Sequence, residues 1–200
     1  SVVFARRQKK ASYILPNDSE RDFRGGPGYD NPYWTVNQNP FVSTLNRVYG
    51  YGQLNYHLND WITLNYRAGG DVYGQDDKNS FSSLSSTAYG SGGIYITDYF
   101  NRLFNSDITV TVVRDITKDL NLNVTLGENY YTSTNNTRWN SGTNLVLPYF
   151  LDMSGATSFL NAEAESSIRR SAWYGQAILG FKSQLFLTLT GRDETSSTLP

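Results

Sequence analysis

Hydrophobic and polar residues alternate on both sides of a short polar turn at Asn59-Asp60, over about ten residues each way. The apolar positions keep one parity on each side of the turn: Val48, Leu54, Leu58, Ile62, Leu64, Val72. The polar positions keep the other: Arg47, Gln53, Asn55, His57, Thr63, Asn65, Arg67, Asp71. Successive side chains of a β-strand point to opposite faces of the sheet, so a period of two predicts strands. The pattern therefore predicts a β-hairpin at about 46–73.

The same pattern recurs at about 106–131, around a turn near Thr117-Lys118-Asp119, and at about 171–192, around Lys182-Ser183-Gln184. Strands of about ten residues are long enough to cross a bilayer when tilted. The stretches between the hairpins are rich in Ser, Asn, Gly and Tyr and are expected to form long loops, at about 5–45, 74–105 and 132–170.

Short turns at one rim and long loops at the other are typical of outer-membrane barrels, with the turns on the periplasmic side. The pattern predicts an all-β fold: an antiparallel transmembrane β-barrel segment, about six full strands in three hairpins with long extracellular loops. Alternating strands with one polar face also occur in soluble sandwiches. The alternative is therefore a soluble or surface-attached all-β glycan-binding module, whose apolar faces would pack against each other in a closed core.

The composition agrees with a β protein and limits the kinds of binding and catalysis to expect. The chain is 14% aromatic, with 15 Tyr, and its mean hydropathy is −0.48. Aromatic residues favour strands, and a barrel with a polar lumen does not need a high hydropathy. The net charge of −1 gives no electrostatic footprint for nucleic acid. With no cysteine, one histidine (His57) and one methionine, no enzyme activity, metal site or cofactor is predicted.

Two sets of residues are candidates for contact with a ligand or partner. Polar residues of the strands are expected to face a lumen, since a charge on the lipid face costs about 2–4 kcal/mol near the midplane: Arg47, Asn55, Asn65, Arg67, Asp71, Asn121, Asn123, Arg192. Aromatic residues of the long loops are suited to stacking on sugar rings or packing on a partner: Tyr33, Trp34, Tyr89, Trp139, Tyr149. Packing of these loops on themselves is the open alternative for the second set.

Several stretches resemble, in order, the SusC/RagA family of TonB-dependent outer-membrane transporters. They are Asn31-Pro32-Tyr33-Trp34-Thr35-Val36-Asn37-Gln38-Asn39-Pro40, Asn46-Arg47-Val48-Tyr49-Gly50, Leu58-Asn59-Asp60-Trp61, Tyr174-Gly175-Gln176 and 187–200. The chain departs from the family at Asp193-Glu194-Thr195, with Thr where an aromatic residue is usual. The resemblance covers most of the chain and is weakest in the expected loops 74–105 and 132–170.

The resemblance implies a plugged barrel of about 22 strands. Such a transporter lies in the outer membrane of a Gram-negative, Bacteroidetes-like bacterium, in contact with its lipid. It is energised by the TonB complex and imports oligosaccharides or peptides together with a SusD-like surface lipoprotein. Residues 1–200 are then expected to be an internal piece of the barrel, with the plug domain and the barrel C-terminus absent.

Overall fold

A computed structural model describes residues 13–21, 29–86 and 90–198. Its elements are helix α1 (Pro32–Gln38), strands β1 (Phe41–Asn59), β2 (Ile62–Phe81), β3 (Gly93–Thr117) and β4 (Leu120–Leu145), a 3-10 turn (Met153–Gly155), and strands β5 (Ala156–Phe181) and β6 (Leu185–Ser196). The six strands form one open antiparallel sheet in the order β1-β2-β3-β4-β5-β6. Each strand therefore pairs with its neighbours in sequence, and the predicted all-β fold of six strands in three hairpins is confirmed.

The three tight turns lie where the sequence predicts them, for identifiable local reasons. The side-chain oxygen of Asn59 accepts hydrogen bonds from the backbone N–H groups of Trp61 and Ile62, at 3.0 and 2.8 Å. This is the turn chemistry for which asparagine is favoured. Lys182 and Ser183 have φ of 50° and 54°, in the left-handed region that tight hairpin turns use.

The strands are longer than the alternation predicts, so the expected bounds of the long loops need correction. Most of 74–105 and 132–170 is strand, and the connections between hairpins are only 82–92 and 146–155. In 133–144 the sequence is rich in Ser, Asn and Thr at both parities, so it carries no period-two signal. A strand that is polar on both faces loses that signal, because polar residues stand at both parities.

The chain divides into two compact units. The hairpin unit comprises the described residues of 46–74, 100–136 and 165–200, and the loop unit comprises those of 1–45, 75–99 and 137–164. No helix among the described residues is long and apolar enough to cross a membrane.

Within the hairpin unit, cross-strand contacts show which residues share a face. The Thr111 and Thr125 hydroxyls lie 3.2 Å apart, and Tyr174 is paired with Arg192 and donates a hydrogen bond to Asp107. These contacts place odd-numbered residues of β3 and β4 and even-numbered residues of β5 and β6 on one side, which we call the polar face. Contacts between odd-numbered residues of β1, β2 and β3 extend it across the sheet.

The opposite side of the hairpin unit, the apolar face, is exposed. The side chains on it include Leu54 and Leu189, which are 61% and 62% exposed. Other large apolar residues at even positions of β1 to β4 and at odd positions of β5 and β6 are on this face and are also exposed: Val48, Leu58, Ile108, Val110, Leu126, Trp173, Leu185, Leu187. The closed core expected for a soluble binding module is therefore not present among the described residues.

The loop unit has a small interior of its own. Ile94, Leu145 and Ala156 are buried together, with Ile96, Leu151 and Met153 packed against them. The segment expected as a loop at 5–45 contributes α1 and the start of β1 to this unit, within its described part. Proline at the first turn of α1 and Asn31 as its N-cap, accepting from the N–H of Tyr33 at 3.0 Å, fix where the helix begins.

Candidate functional site: the polar face of the sheet

An ion pair joins β1 to β2 on the polar face. Arg47 donates through Nε to Asp71 Oδ1 at 2.8 Å, and its Nη2 contacts the second oxygen of the same carboxylate. The arginine also lies over the ring of Tyr49, with 5.2 Å from Cζ to the ring centroid. This bidentate geometry fixes both side chains, so neither charge is left to be satisfied by another group.

A second connection crosses three strands. The hydroxyl of Tyr174 on β5 donates to Asp107 Oδ1 on β3 at 2.8 Å, passing over Gly127 of the intervening strand β4. A Cβ atom at position 127 would clash with Cζ, Oη and Cε2 of Tyr174, so a larger residue there requires the ring to move. Asn129 on β4 donates to the other oxygen of Asp107 at 3.3 Å. The carboxylate of Asp107 thus accepts from two different strands.

The other arginines of β5 and β6 on this face also have partners. Arg192 donates from Nε and Nη2 to Glu194 at 3.0 and 2.7 Å and lies 6.0 Å from the ring centroid of Tyr174. Arg170 lies 5.6 Å from the ring centroid of Tyr131 on β4. Arginine over an aromatic ring is favourable, because the ring face carries partial negative charge.

Side chains of β1, β2 and β3 line a polar concavity of about 220 Å³ on this face: Gln53, Asn65, Arg67, Asp107, Thr109. Every lining side chain offers a hydrogen-bonding group, and none is apolar. Such a surface suits a polar polymer or a hydrated partner rather than an apolar ligand.

All eight polar strand residues singled out from the sequence have the parity of the polar face: Arg47, Asn55, Asn65, Arg67, Asp71, Asn121, Asn123, Arg192. Several of them are held by their neighbours: Asn121 donates to Asp115 at 2.8 Å, and Asn55 accepts from Gln53 at 3.1 Å. The structure thus collects them on one surface of the hairpin unit.

The loop aromatics have different fates. Tyr33 on α1 and Tyr149 are 52% and 50% exposed, and Trp139, which is 42% exposed, belongs to strand β4 rather than to a loop. Trp34 has no exposed surface, so it cannot stack on a ligand, and for this residue the alternative of self-packing holds. Tyr89 lies outside the described residues.

Trp34 is buried because it anchors α1 to the connection between β2 and β3. Its indole N–H donates to Ser85 Oγ at 2.8 Å, and Ser85 in turn donates to Asn39 Oδ1 at 3.0 Å. The same Asn39 oxygen accepts from the backbone N–H of Ser82 at 2.9 Å. The carboxylate of Glu20 accepts from the backbone N–H of Ser86 at 2.8 Å. Buried polar groups are satisfied throughout, so this part of the loop unit is a packed structure.

The carboxyl groups of Asp98 and Asp152 in the loop unit depart from ordinary acidity in opposite directions. Burial and the neighbouring carboxyl of Asp76 raise the pKa of Asp98, while Arg138 opposes the shift. Hydrogen bonds from the side chain and backbone N–H of Ser154 lower the pKa of Asp152, which caps the 3-10 turn. Among the described residues no group of three or more His, Asp or Glu side chains is placed to hold a metal ion.

The interaction of Tyr174 with Asp107 over Gly127 was not expected from the sequence. Alternation assigns all three residues to the polar face, but it gives no information on which strands pair in which register. A glycine inside a strand is a signal for close approach of another group. Gly127 carries that signal, although the sequence does not say what approaches.

In the hairpin unit the open sheet has one polar and one exposed apolar face, a pattern typical of membrane-barrel strands. No protein-family model and no curated protein sequence matches the chain. Among solved structures it is similar to the RagAB peptide transporter, with a TM-score of 0.79 and 16% identity over 92% of this chain and 22% of that one.

Two further solved structures match the chain in the same way. The RagAB peptide importer in its "open-open" state matches with a TM-score of 0.77 and 16% identity, over 91% of this chain and 21% of that one. In its "closed-closed" state the values are 0.76 and 14%, over 90% and 20%. At this identity the likeness establishes the fold. The chain spans about a fifth of the length of these chains and has the fold of part of a transporter barrel, so the resemblance to the SusC/RagA family is confirmed at that level.

Proposed function

We propose that this chain forms part of the wall of a TonB-dependent outer-membrane transporter, with its apolar face toward lipid and its polar face toward the lumen. The exposed apolar face carries the proposal. Leu54 and Leu189 are more than half exposed, and an uncovered apolar surface of this extent is unfavourable in water. A bilayer covers such a surface without another protein layer.

The proposed cargo is an oligopeptide, with an oligosaccharide as the alternative. The structures that the chain resembles are described as a peptide transporter or importer, and no observation supports a carbohydrate. The polar face presents amides and hydroxyls, which are suited to hydrogen bonds with either kind of polymer. The eight polar strand residues line the lumen in this proposal, and the role is transport rather than catalysis.

The proposed partner at the cell surface is a SusD-like lipoprotein, and the proposed energy source is the TonB complex, both acting on the whole transporter. RagAB is a two-component name, which supports a second protein on the same assembly. Of the five candidate aromatics chosen from the sequence, Tyr33, Trp139 and Tyr149 are exposed in the described part of the chain and are available for contact with that lipoprotein or with cargo.

The orientation of the two faces is tested with adjacent residues of β6. The chain has no cysteine, so Leu189→Cys and Thr190→Cys each introduce a single labelling site in this region of the whole transporter. A polarity-sensitive fluorophore is attached to each variant in vesicles that contain a nitroxide-labelled phospholipid.

Leu189 is on the apolar face and Thr190, paired with Gln176, is on the polar face. We expect strong quenching and blue-shifted emission at position 189, and neither at position 190, because only the first faces the lipid. Equal quenching at both positions, or the reverse order, contradicts the proposal.

A further inference from the structure

One arginine on the polar face of the hairpin unit has no hydrogen-bond or ion-pair partner among the described residues. Four arginines share this face, and three of them are engaged: Arg47 with Asp71, Arg170 with Tyr131, and Arg192 with Glu194 and Tyr174. Arg67 makes no hydrogen bond, ion pair or ring contact with any residue that the structure describes.

The surroundings of Arg67 do not satisfy its charge. Asp107 lines the same concavity, but no nitrogen of Arg67 comes within ion-pair distance of that carboxylate. Asp107 instead accepts from Tyr174 and Asn129, at 2.8 and 3.3 Å, so both of its oxygens have donors from β4 and β5. The acid that lines the same concavity as the arginine is thus held by other strands.

The remaining groups of the concavity leave donors available. Asn65 and Thr109 line it beside Arg67, and neither side chain makes a hydrogen bond with a described residue. An amide N–H₂, a hydroxyl and a guanidinium therefore converge on about 220 Å³. The planar fork of arginine fits a carboxylate with two parallel hydrogen bonds, which are among the stronger hydrogen bonds in proteins.

We propose that Arg67, with Asn65 and Thr109, forms a binding subsite for a carboxylate group of a polypeptide. Two sources offer that chemistry: an acidic side chain of the transporter itself, from a segment inside the barrel, or the terminal carboxylate of a peptide in transit. The inference rests on the proposed function only in taking the polar face to be a lumen.

The test replaces the arginine with lysine, whose amine can be crosslinked to a carboxylate in contact with it. In the whole transporter carrying Arg67→Lys, a water-soluble carbodiimide joins the new amine to a carboxylate in contact with it, and mass spectrometry identifies the linked residue. The reaction is run with and without N-acetylated triglycine, a probe whose only carboxylate is the terminal one. Arg47→Lys is the matched control, because its carboxylate partner, Asp71, is known.

We expect Arg47→Lys to link to Asp71 and Arg67→Lys to link to a carboxylate other than Asp107. A link to another acid of the transporter identifies the internal source, and a link to the probe identifies the peptide source. Arg67→Gln, which supplies no amine, should lose the product entirely.

A link to Asp107 alone, or no link at position 67 while the control reacts, overturns the inference. That failure is distinct from a failure of the proposed function. If lipid quenching still distinguishes position 189 from position 190, the proposed barrel wall is supported and only the proposed carboxylate subsite is wrong.

Discussion

At the scale of single residues, the contact between Tyr174 and Asp107 on the polar face depends on the glycine at position 127. Gly127 lets the Tyr174 ring cross β4 and reach Asp107, and this one contact ties three strands together. A hydrogen bond to a charged group contributes about 1.5–3 kcal/mol to stability. The same contact keeps the Asp107 carboxylate engaged and away from Arg67.

Gly127→Ala is expected to destabilise the assembled transporter by about 1–3 kcal/mol, the usual cost of overpacking. The added methyl group would lie within 2.7 Å of three atoms of Tyr174, so the ring has to move and its bond to Asp107 is strained or lost. Urea unfolding in lipid vesicles, followed by tryptophan fluorescence, measures the change.

Gly191→Ala is the matched control for that measurement. It is also a strand glycine of the hairpin unit, but nothing lies within 4 Å of where its Cβ would be. Here the loss of backbone freedom in the unfolded chain favours alanine, by about 0.4–1 kcal/mol. If both variants change stability equally, the packing of Tyr174 over Gly127 is not what matters.

At the scale of elements, α1 is held in place by its one buried side chain. A helix of seven residues is too short to be stable alone, so it depends on the contacts that Trp34 makes with the connection between β2 and β3. The buried hydrogen bonds of Asn39 reinforce the same attachment. The described part of the loop unit is therefore organised around a fixed interior.

Trp34→Ala should release this helix. Truncating a buried tryptophan costs about 3–5 kcal/mol and here also leaves Ser85 without the indole donor. We expect faster cleavage within 29–40 when the whole transporter is treated with protease from the outside. Tyr33→Ala, at the neighbouring exposed position, is expected to change stability by less than about 0.5 kcal/mol and to leave the cleavage rate unchanged. Equal protection of both variants would contradict an anchoring role for Trp34.

At the scale of the whole molecule, the two faces of the hairpin unit suit different surroundings. An exposed apolar face opposite a face of amides, hydroxyls and paired charges is what the proposed contact with lipid on one side requires. Among the described residues the sheet has β1 and β6 as its edge strands. In the proposed barrel these edges pair with other strands of the transporter, which satisfies their backbone groups.

The assignment of the apolar face to lipid is tested with Leu54→Arg and Asn55→Arg, at adjacent positions of β1. Leu54 has the parity of the apolar face and Asn55 that of the polar face. We expect the first substitution to cost about 2–4 kcal/mol near the bilayer midplane and the second to cost little. The yield of folded, heat-modifiable transporter in the outer membrane and urea unfolding in vesicles are the readouts. A larger loss at position 55 than at position 54 would reverse the assignment of the faces.

The sequence by itself determined the strands that alternate and the turns that join them. Leu54, Asn55, Leu64 and Asn65 obey a period of two because one face needs apolar residues and the other does not. Asn59 marks its turn through local hydrogen bonds that involve only residues three positions away or fewer. Both signals are local, so they can be read from the chain alone.

Only the tertiary structure decided the length of the strands, the register and the partners. The stretch 133–144 is strand because its backbone pairs with neighbouring strands, and its polar sequence gives no hint of this. The burial of Trp34 depends on Ser85, and the link from Tyr174 to Asp107 spans 67 positions of sequence. Among the described residues Arg67 has no hydrogen-bond or ion-pair partner for the same reason: the register brings Asp107 to Tyr174 and Asn129, and no local pattern encodes that pairing.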